Sequence, residues 1–150
     1  MTTIELGRVT DRKPPFKYSA ITRVWFSDTD AQGVVFYGRY LPYFDHARRE
    51  YHRHLGKLAF EGRDFVMRAS NVEYHAPARF DDLLEVFVRV ERVGTTSVTY
   101  DYAAYRCDDE GVPNELMATA QQTLVLIDLD EPHPVPVPDS FRARLTGFEA

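Results

Sequence analysis

Two aspartates one residue apart, Asp28 and Asp30, stand directly before an apolar run and the start of a helical pattern. The stretch reads FSDTDAQGVVFYGRYLPYFD from residue 26 to residue 45. A carboxylate beside apolar residues costs free energy unless a partner or a reaction holds it there. Either both aspartates satisfy the backbone of a turn, which the spacing alone favours, or one of them acts as a nucleophile or general base.

The helix that follows the aspartates is expected to begin between Gly38 and Leu41 and to run for roughly 16 residues. Pro42 then lies in the first turn, where its missing N–H costs nothing, and Gly56 is a common helix stop. An apolar stripe recurs at spacings of three and four residues and predicts the buried face: Tyr40, Phe44, Ala47, Tyr51 and Leu55.

Five other segments are rich in β-branched and aromatic residues and predict strands. They are YSAITRVWF, DFVMRASNVEYHA, LLEVFVRVER, TSVTYDYAAYRC and ELMATAQQTLVLIDL. In the third, Leu84, Val86, Val88 and Val90 alternate with other residues and are expected to share one face. Turn signals at 93–94 and 108–111 indicate hairpins between neighbouring strands.

This order predicts an α+β protein in which a curved five-stranded antiparallel sheet wraps one long central helix. We expect a single domain over residues 1–150, with a flexible lead-in at 1–16. A proline-rich tail at 129–150 is expected to be extended, with a short final helix turn. The edges of such a sheet need covering, so a homodimer or a dimer of dimers is the expected assembly.

Composition narrows the classes of partner. The 150 residues carry a formal net charge of −5, so no nucleic-acid partner is expected. No apolar run has the length of a signal peptide or a membrane span, which predicts a cytoplasmic protein without a membrane partner. Cys107 is the only cysteine, and the five histidines show no metal-ligand spacing. We therefore expect no disulfide, metal or other cofactor.

The segment DTDAQGVVFYGRYLPYFDHAR strongly resembles the signature of the hot-dog-fold thioesterases of the 4-hydroxybenzoyl-CoA thioesterase and YbgC/FadM group. VEYHAPARFDDLLEV is similar to the long strand and proline turn of that family, and VGTTS is similar to its hairpin corner. The likeness extends from about residue 20 to residue 128. It implies the hot-dog fold and hydrolysis of an acyl-CoA thioester at an interface between two subunits.

The resemblance also implies roles for individual residues. Asp30 falls on the catalytic carboxylate of the family. Tyr37 falls where YbgC-type enzymes usually have histidine and the hydroxybenzoyl-CoA branch can have tyrosine. The backbone N–H of Tyr37 or Gly38, at the start of the helix, would stabilise the oxyanion. The acyl group could be aromatic or a short to medium chain.

Substrate-binding positions follow from the same resemblance. Gly33, Val34 and Val35 belong to the signature, and the two valines would exclude water from the site. Some relatives carry a basic cluster for the CoA phosphates at the hairpin corner, where this chain has Gly94, Thr95 and Thr96. Arg92 and Ser97 are the expected contacts there. A second departure is Arg39, where the family often has asparagine.

Two interpretations remain open beside hydrolysis by Asp30. The fold could serve as a non-catalytic acyl-CoA-binding module, or as a hot-dog dehydratase or hydratase. The latter chemistry normally pairs a histidine with an acidic residue, and no histidine lies between Asp28 and Asp45. Asp28 is expected to be structural, and Glu50 is expected at a solvated helix position.

Overall fold

The computed structural model describes residues 6–56 and 62–150. The helices are α1 (Tyr40–His54) and α2 (Asp139–Glu149), and one-turn 3-10 helices span Phe26–Asp28 and Tyr37–Arg39. The strands are β1 (Gly7–Val9), β2 (Tyr18–Arg23), β3 (Arg63–Tyr74), β4 (Leu83–Val93), β5 (Ser97–Cys107) and β6 (Pro113–Asp128).

One antiparallel sheet contains all of these strands, in the spatial order β1-β2-β4-β5-β6-β3. The five predicted strands are present, and β1 is a sixth that the sequence analysis missed. The prediction of a flexible lead-in is therefore wrong for Gly7–Val9, while residues 1–5 lie outside the described residues. The buried Glu85 explains this, since it accepts hydrogen bonds from Arg8 Nη2 at 2.8 Å and Ser19 Oγ at 2.7 Å.

Helix α1 packs its predicted stripe against one face of the sheet. Tyr40, Phe44, Ala47 and Tyr51 are all buried, and Leu55 packs partly buried against the same core. The predicted inward face of β4 is confirmed as well, because its four alternating apolar residues are buried in this core. The start of α1 at Tyr40 lies within the predicted interval. Gly56 ends the helix with a φ of +95°, as a helix stop often does.

The C-terminal segment is more ordered than predicted. Instead of a short helix turn, it forms the 11-residue α2, which buries Phe141 and Leu145. The proline-rich stretch before α2 is bound to the sheet, because Val135 N–H donates to the Leu126 carbonyl of β6 at 2.9 Å. Glu149 near the end of α2 accepts a 2.7 Å hydrogen bond from the Tyr51 hydroxyl on α1. The tail therefore covers one end of the core.

Helix α1 also buries two charged groups, one of which, Glu50, was predicted to be solvated. Glu50 is only 3% exposed, accepts a hydrogen bond from Leu6 N–H and is paired with Arg53. Arg48 is buried too, and donates to the Tyr102 hydroxyl at 3.0 Å. The prediction of a solvated Glu50 is therefore wrong, because the segment before β2 folds back over this part of α1.

The two edges of the sheet differ greatly. Strand β1 has three residues, whereas β3 has twelve and, among the described strands, pairs only with β6. Most side chains of β3 are exposed, including the apolar Val66 and Met67. Long uncovered edges with apolar side chains are uncommon in soluble proteins, because they pair with other strands. The described part of the β3 edge therefore leaves backbone groups and apolar side chains uncovered.

Candidate active site

A tight turn holds Asp30 between the first 3-10 helix and α1. Asp30 N–H donates to the Val34 carbonyl at 2.9 Å, and Gly33 N–H donates to the Asp30 carbonyl at 3.0 Å. Gly33 has a φ of +79°, which side-chain-bearing residues rarely adopt. Val35 N–H then donates to the Ala78 carbonyl at 2.8 Å, so the turn is fastened to the segment before β4.

The Asp30 carboxylate is exposed and only half engaged. Its Oδ1 accepts a 2.8 Å hydrogen bond from Gln32 N–H, which is typical of aspartate in turns. In the described part of the chain, Oδ2 of Asp30 has no hydrogen-bond partner. One oxygen therefore fixes the side chain while the other is available to a ligand.

Asp30 lies at the wall of an open cavity of about 360 Å³. Three tyrosines, Tyr37, Tyr40 and Tyr74, form an aromatic part of the wall, and most of the remaining lining is small and apolar. The full lining is Asp30, Gln32, Val34, Val35, Tyr37, Tyr40, Tyr74, His75, Ala76 and Pro77. The cavity combines one carboxylate with an apolar surface, which is the usual character of a small-molecule site.

The helical segment that leads into α1 starts at this cavity. Tyr37–Arg39 forms one 3-10 turn that continues directly into α1, and no side chain caps its beginning in the described structure. The first N–H groups of a helix have no partner inside the helix and carry partial positive charge. Gly38 follows Tyr37 in this turn and is half-buried. The wall of the cavity therefore contains both Asp30 and Tyr37, the first residue of this helical segment.

The side chain of Asp28, expected to be structural, makes two hydrogen bonds, both to groups outside the cavity wall. Its Oδ2 accepts hydrogen bonds from Trp25 N–H at 2.9 Å and from the Tyr43 hydroxyl at 2.7 Å. Burial and the Asp28 carboxylate raise the pKa of Tyr43 well above its usual range. Asp28 thus ties the first 3-10 helix to α1, and it does not line the cavity.

The same turn occurs a second time, at Asp108. Asp30 opens the sequence DAQGV and Asp108 opens DDEGV. Asp108 N–H donates to Val112 O, Gly111 N–H donates to Asp108 O, and Oδ1 accepts from Glu110 N–H, each at 2.9 Å. Asp108 Oδ2, however, also accepts a 3.4 Å contact from the Asn114 side chain. The turn is therefore a general structural unit, and the cavity beside it is what distinguishes Asp30.

The structure brings one group of the predicted site residues together at the cavity and places a second group far from it. Asp30, Val34, Val35 and Tyr37 line the cavity, and Gly33 and Gly38 are next to lining residues. Arg92 and Ser97 lie at the opposite end of β4, whose 11 residues span roughly 33 Å. Within one copy of the chain, these two residues therefore lie away from the cavity.

The hairpin corner itself is occupied by the C-terminal segment. Gly94 N–H donates to the Ser97 carbonyl at 2.7 Å, and Arg142 from α2 donates to the Gly94 carbonyl at 2.9 Å. Ser97 also approaches the α-carbon of Gly94 closely, since a Cβ there would meet Ser97 Oγ at 2.8 Å. Ser97 acts as a hairpin residue in this structure, whereas the Arg92 side chain is exposed.

Sequence reasoning missed Tyr74, His75 and Pro77, which come from the end of β3 and the segment after it. Tyr74 Oη–H donates to the Tyr37 carbonyl at 3.0 Å, and His75 Nε2 is 3.0 Å from Thr119 Oγ1. The only signal in the sequence for these residues was the long predicted strand followed by a proline turn. This signal does not reveal that the end of the strand lies beside the start of α1.

A larger cavity of about 520 Å³ lies elsewhere on the sheet, beneath Pro15 and Phe16. Its acidic residues are Glu73 and Asp101, and Asp101 is paired with Arg89 at 2.9 Å. No helix begins at this cavity. Its size alone does not make it the better candidate, because its lining contains no residue of the predicted motif and no helix start.

The described residues contain neither a metal-ligand cluster nor a membrane-spanning helix. No three His, Cys, Asp or Glu side chains in residues 6–56 and 62–150 come together as potential metal ligands. Neither helix in those ranges is long and apolar enough to cross a membrane.

Comparison with known proteins decides the family. A sequence model of the Thioesterase superfamily matches residues 32–112, which is more than half of the chain. The chain belongs to the thioesterase superfamily. It is similar to the acyl-CoA thioester hydrolase YbgC of Escherichia coli O6:H1, with 34% identity over 126 residues, covering 81% of this chain and 90% of the relative. The YbgC acyl-CoA thioesterase of Haemophilus influenzae is 33% identical over 132 residues, covering 84% and 92%.

Solved structures confirm the hot-dog fold of this thioesterase. A probable thioesterase from Bartonella henselae has a TM-score of 0.70 and 28% identity, covering 80% of this chain and 96% of that one. A 4-hydroxybenzoyl-CoA thioesterase mutant in complex with 4-hydroxybenzoyl-CoA has a TM-score of 0.77 at 20% identity, covering 85% and 96%. This second likeness shows the fold alone. The family and these relatives together make the chain a thioester hydrolase.

Proposed function

We propose that this thioesterase hydrolyses acyl-CoA to the free acid and CoA, with Asp30 as the catalytic carboxylate. The observation that carries the proposal is that Asp30, with one free oxygen, shares a cavity with Tyr37 at the start of the helical segment. The YbgC relatives, named acyl-CoA thioesterases, support CoA as the thiol half of the substrate. No metal or other cofactor takes part in the proposed reaction.

The start of the helical segment supplies the oxyanion site in this proposal. As the acyl carbon becomes tetrahedral, its oxygen gains negative charge and accepts a hydrogen bond from the N–H of Tyr37 or Gly38. Such a donor contributes roughly 3 kcal/mol in other acyl-transfer enzymes, because it is already oriented before charge develops. The partial positive charge of the helix start adds to this stabilisation.

Asp30 can act in either of two ways. As a general base it removes a proton from water while the water oxygen bonds to the acyl carbon. As a nucleophile it bonds to the acyl carbon itself, and water then hydrolyses the resulting anhydride. In both routes the C–S bond breaks, and CoA leaves as a thiolate that is protonated by solvent. The free Oδ2 fits both routes.

The walls of the cavity indicate the kind of acyl group. Tyr37, Tyr40 and Tyr74 present ring faces and edges, while Val34 and Val35 supply aliphatic surface. Aromatic rings pack edge to face or in offset stacks with one another, so such walls suit a planar or short apolar group. We propose an aromatic or short to medium acyl chain.

The CoA half of the substrate requires more than one copy of the chain if Arg92 and Ser97 bind it. These residues lie at the far end of β4 from the cavity, so a second copy would have to bring its own hairpin corner close. The uncovered β3 edge provides a surface for such a pairing. We therefore propose a homodimer, or a dimer of dimers, as the active assembly.

The experiment is to screen acyl-CoA thioesters with a reagent that reports free thiol, using wild-type protein, Asp30→Asn and Asp108→Asn. Asparagine retains an oxygen for the turn, so both variants should fold. We expect Asp30→Asn to lower kcat/KM about 100-fold or more, and Asp108→Asn to leave it unchanged. If the wild-type protein binds acyl-CoA but releases no thiol, it is a binding module instead.

His75 gives a second candidate function a structural basis. His75 and Asp30 both line the cavity, so a histidine and an acidic group are present in one site. Dehydratase or hydratase chemistry needs this pair, and the motif itself contains no histidine. Family membership favours hydrolysis. His75→Gln separates the two reactions: thiol release should persist within about threefold, whereas hydration of an enoyl-CoA would be lost.

A further inference from the structure

We infer that Val35 and Tyr40 form the closed inner end of the Asp30 cavity and set the greatest length of acyl group that the enzyme accepts. This inference rests on the proposed function, because it assigns a specificity role in the same reaction. Both residues line the cavity, Val35 shortly before the second 3-10 turn and Tyr40 at the first position of α1.

The lining of the cavity changes from exposed to buried side chains. Asp30, Tyr37 and Tyr74 are exposed to solvent. Of the residues that line the cavity, only Val35 and Tyr40 are buried, with exposed fractions of 6% and 2%. The cavity is therefore open on the side of Asp30 and ends at these two side chains.

The buried residue Ala78 holds both parts of this closed end in place. Val35 N–H donates to the Ala78 carbonyl at 2.8 Å, and Ala78 N–H donates to the Tyr40 hydroxyl oxygen at 3.3 Å. One backbone group of Ala78 thus fixes the chain at Val35, and the other fixes the Tyr40 ring. If the ring moved away, a buried N–H would lose its partner, which costs free energy.

Neighbouring rings leave the Tyr40 side chain little room to move. Its ring centroid lies 5.6 Å from that of Tyr43 and 5.6 Å from that of Tyr74, and both rings meet it edge-on. Tyr43 is buried and is fixed in turn by its hydrogen bond to Asp28. Protein interiors are close-packed and yield little to an added atom, so this end of the cavity is a fixed boundary.

A fixed apolar end limits the acyl group by its length. CoA, a nucleotide with a long pantetheine arm, is too large for a cavity of about 360 Å³ and must stay on the open side. With the thioester carbon beside Asp30, the acyl group therefore extends toward Val35 and Tyr40. In a hydrophobic pocket, one methylene too many or too few changes specificity by roughly 10–200-fold. We expect kcat/KM to fall steeply beyond one acyl length.

The test measures kcat/KM by thiol release for straight-chain acyl-CoAs of increasing length and for benzoyl-CoAs with longer para-alkyl groups. Val35→Ala removes two methyl groups from the closed end. For the shortest acyl group that the wild type rejects, this variant should raise kcat/KM about tenfold. Val35→Leu adds a methylene at the same place and should move the length limit in the opposite direction. Tyr40→Leu removes the ring and should extend the limit further than Val35→Ala does.

Val24→Ala is the matched control. Val24 is also buried and loses the same two methyl groups, but it does not line the cavity. Its length limit should equal that of the wild type. Partial unfolding of a variant does not obscure the result, because the ratio of kcat/KM between two acyl lengths in one sample does not depend on the folded fraction.

Three results would overturn the inference and leave the proposed function intact, provided that thiol release still depends on Asp30. They are an unchanged length limit in the Val35 variants or in Tyr40→Leu, an equal shift in Val24→Ala, and a wild-type profile with no steep fall. A wild-type protein that releases no thiol from any acyl-CoA would overturn both the inference and the proposed function.

Discussion

At the scale of single residues, Gly33 gives the sharpest test of how the Asp30 turn supports activity. Its φ of +79° strains any residue with a Cβ, although a Cβ at this position would meet no atom within 4 Å. Gly111 occupies the equivalent place in the Asp108 turn, with a φ of +81° and the same open space. The two glycines therefore have the same backbone conformation, but only Gly33 belongs to a turn that lines the cavity.

We expect Gly33→Ala and Gly111→Ala each to lower the free energy of unfolding by about 1 kcal/mol, because both force a Cβ into the left-handed region. Only Gly33→Ala should also lower kcat, by about tenfold, since relaxation of that strain moves the Asp30 carboxylate. Urea denaturation and a thiol-release assay measure the two effects. Equal loss of activity in both variants would mean that stability, and not the position of Asp30, controls the rate.

These residues also show what the sequence could predict about the site. Asp30, Gly33, Val34 and Val35 are neighbours in the chain, and a turn with a required glycine leaves a readable local pattern. Tyr74 and His75 are over forty residues from Asp30 and reach the cavity because β3 pairs with β6 beside the start of α1. Such contacts depend on the register of strand pairing, which one sequence does not reveal.

At the scale of elements, a partly buried histidine, His52, joins α1 to the sheet. His52 Nε2 lies 2.5 Å from the Tyr100 hydroxyl of β5. Burial, with smaller contributions from Arg48 and Arg49, lowers the pKa of His52 to about 3. The folded protein therefore keeps His52 neutral at pH values where an unfolded chain would protonate it, near pH 6.5 and below.

The sign of the resulting pH dependence follows from proton binding. Below the unfolded pKa the unfolded state binds one more proton, so the stability contributed by neutral His52 is complete above pH 6.5 and declines as the pH falls toward 3. We expect the free energy of unfolding to fall by about 1 kcal/mol between pH 7.5 and pH 5.5. His52→Gln should remove this part of the pH dependence, and the exposed His133→Gln should not. An unchanged slope in His52→Gln would contradict the prediction.

The elements that the sequence analysis missed are those with the weakest periodic signal. Strand β1 has only three residues, too few to show an alternation of apolar and polar side chains. It is stabilised by the hydrogen bond from Arg8 to the buried Glu85. Helix α2 follows four spaced prolines, which indicated an extended tail. Its buried Phe141 and Leu145 are four residues apart, so a helical spacing was present but short. Long amphipathic elements were predicted correctly because their pattern repeats many times.

At the scale of the whole molecule, the uncovered edge of β3 makes an oligomer testable. A twelve-residue edge that exposes Val66 and Met67 can pair with the same edge of a second copy, which satisfies its free backbone groups. The opposite edge, β1, is three residues long and offers little to pair with. The asymmetry predicts one isologous contact through β3.

We expect the wild type to have twice the 17.3 kDa mass of one chain in light scattering. The double variant Val66→Lys, Met67→Lys should shift toward monomer, because lysines along an edge repel the same edge of another copy. Its kcat/KM should fall at least tenfold if the CoA site needs the second copy. Val9→Lys, at the exposed β1 edge, is the matched control and should remain dimeric and active. A monomeric double variant with full activity would show that one chain carries the complete site, and CoA would then have to bind without Arg92 and Ser97.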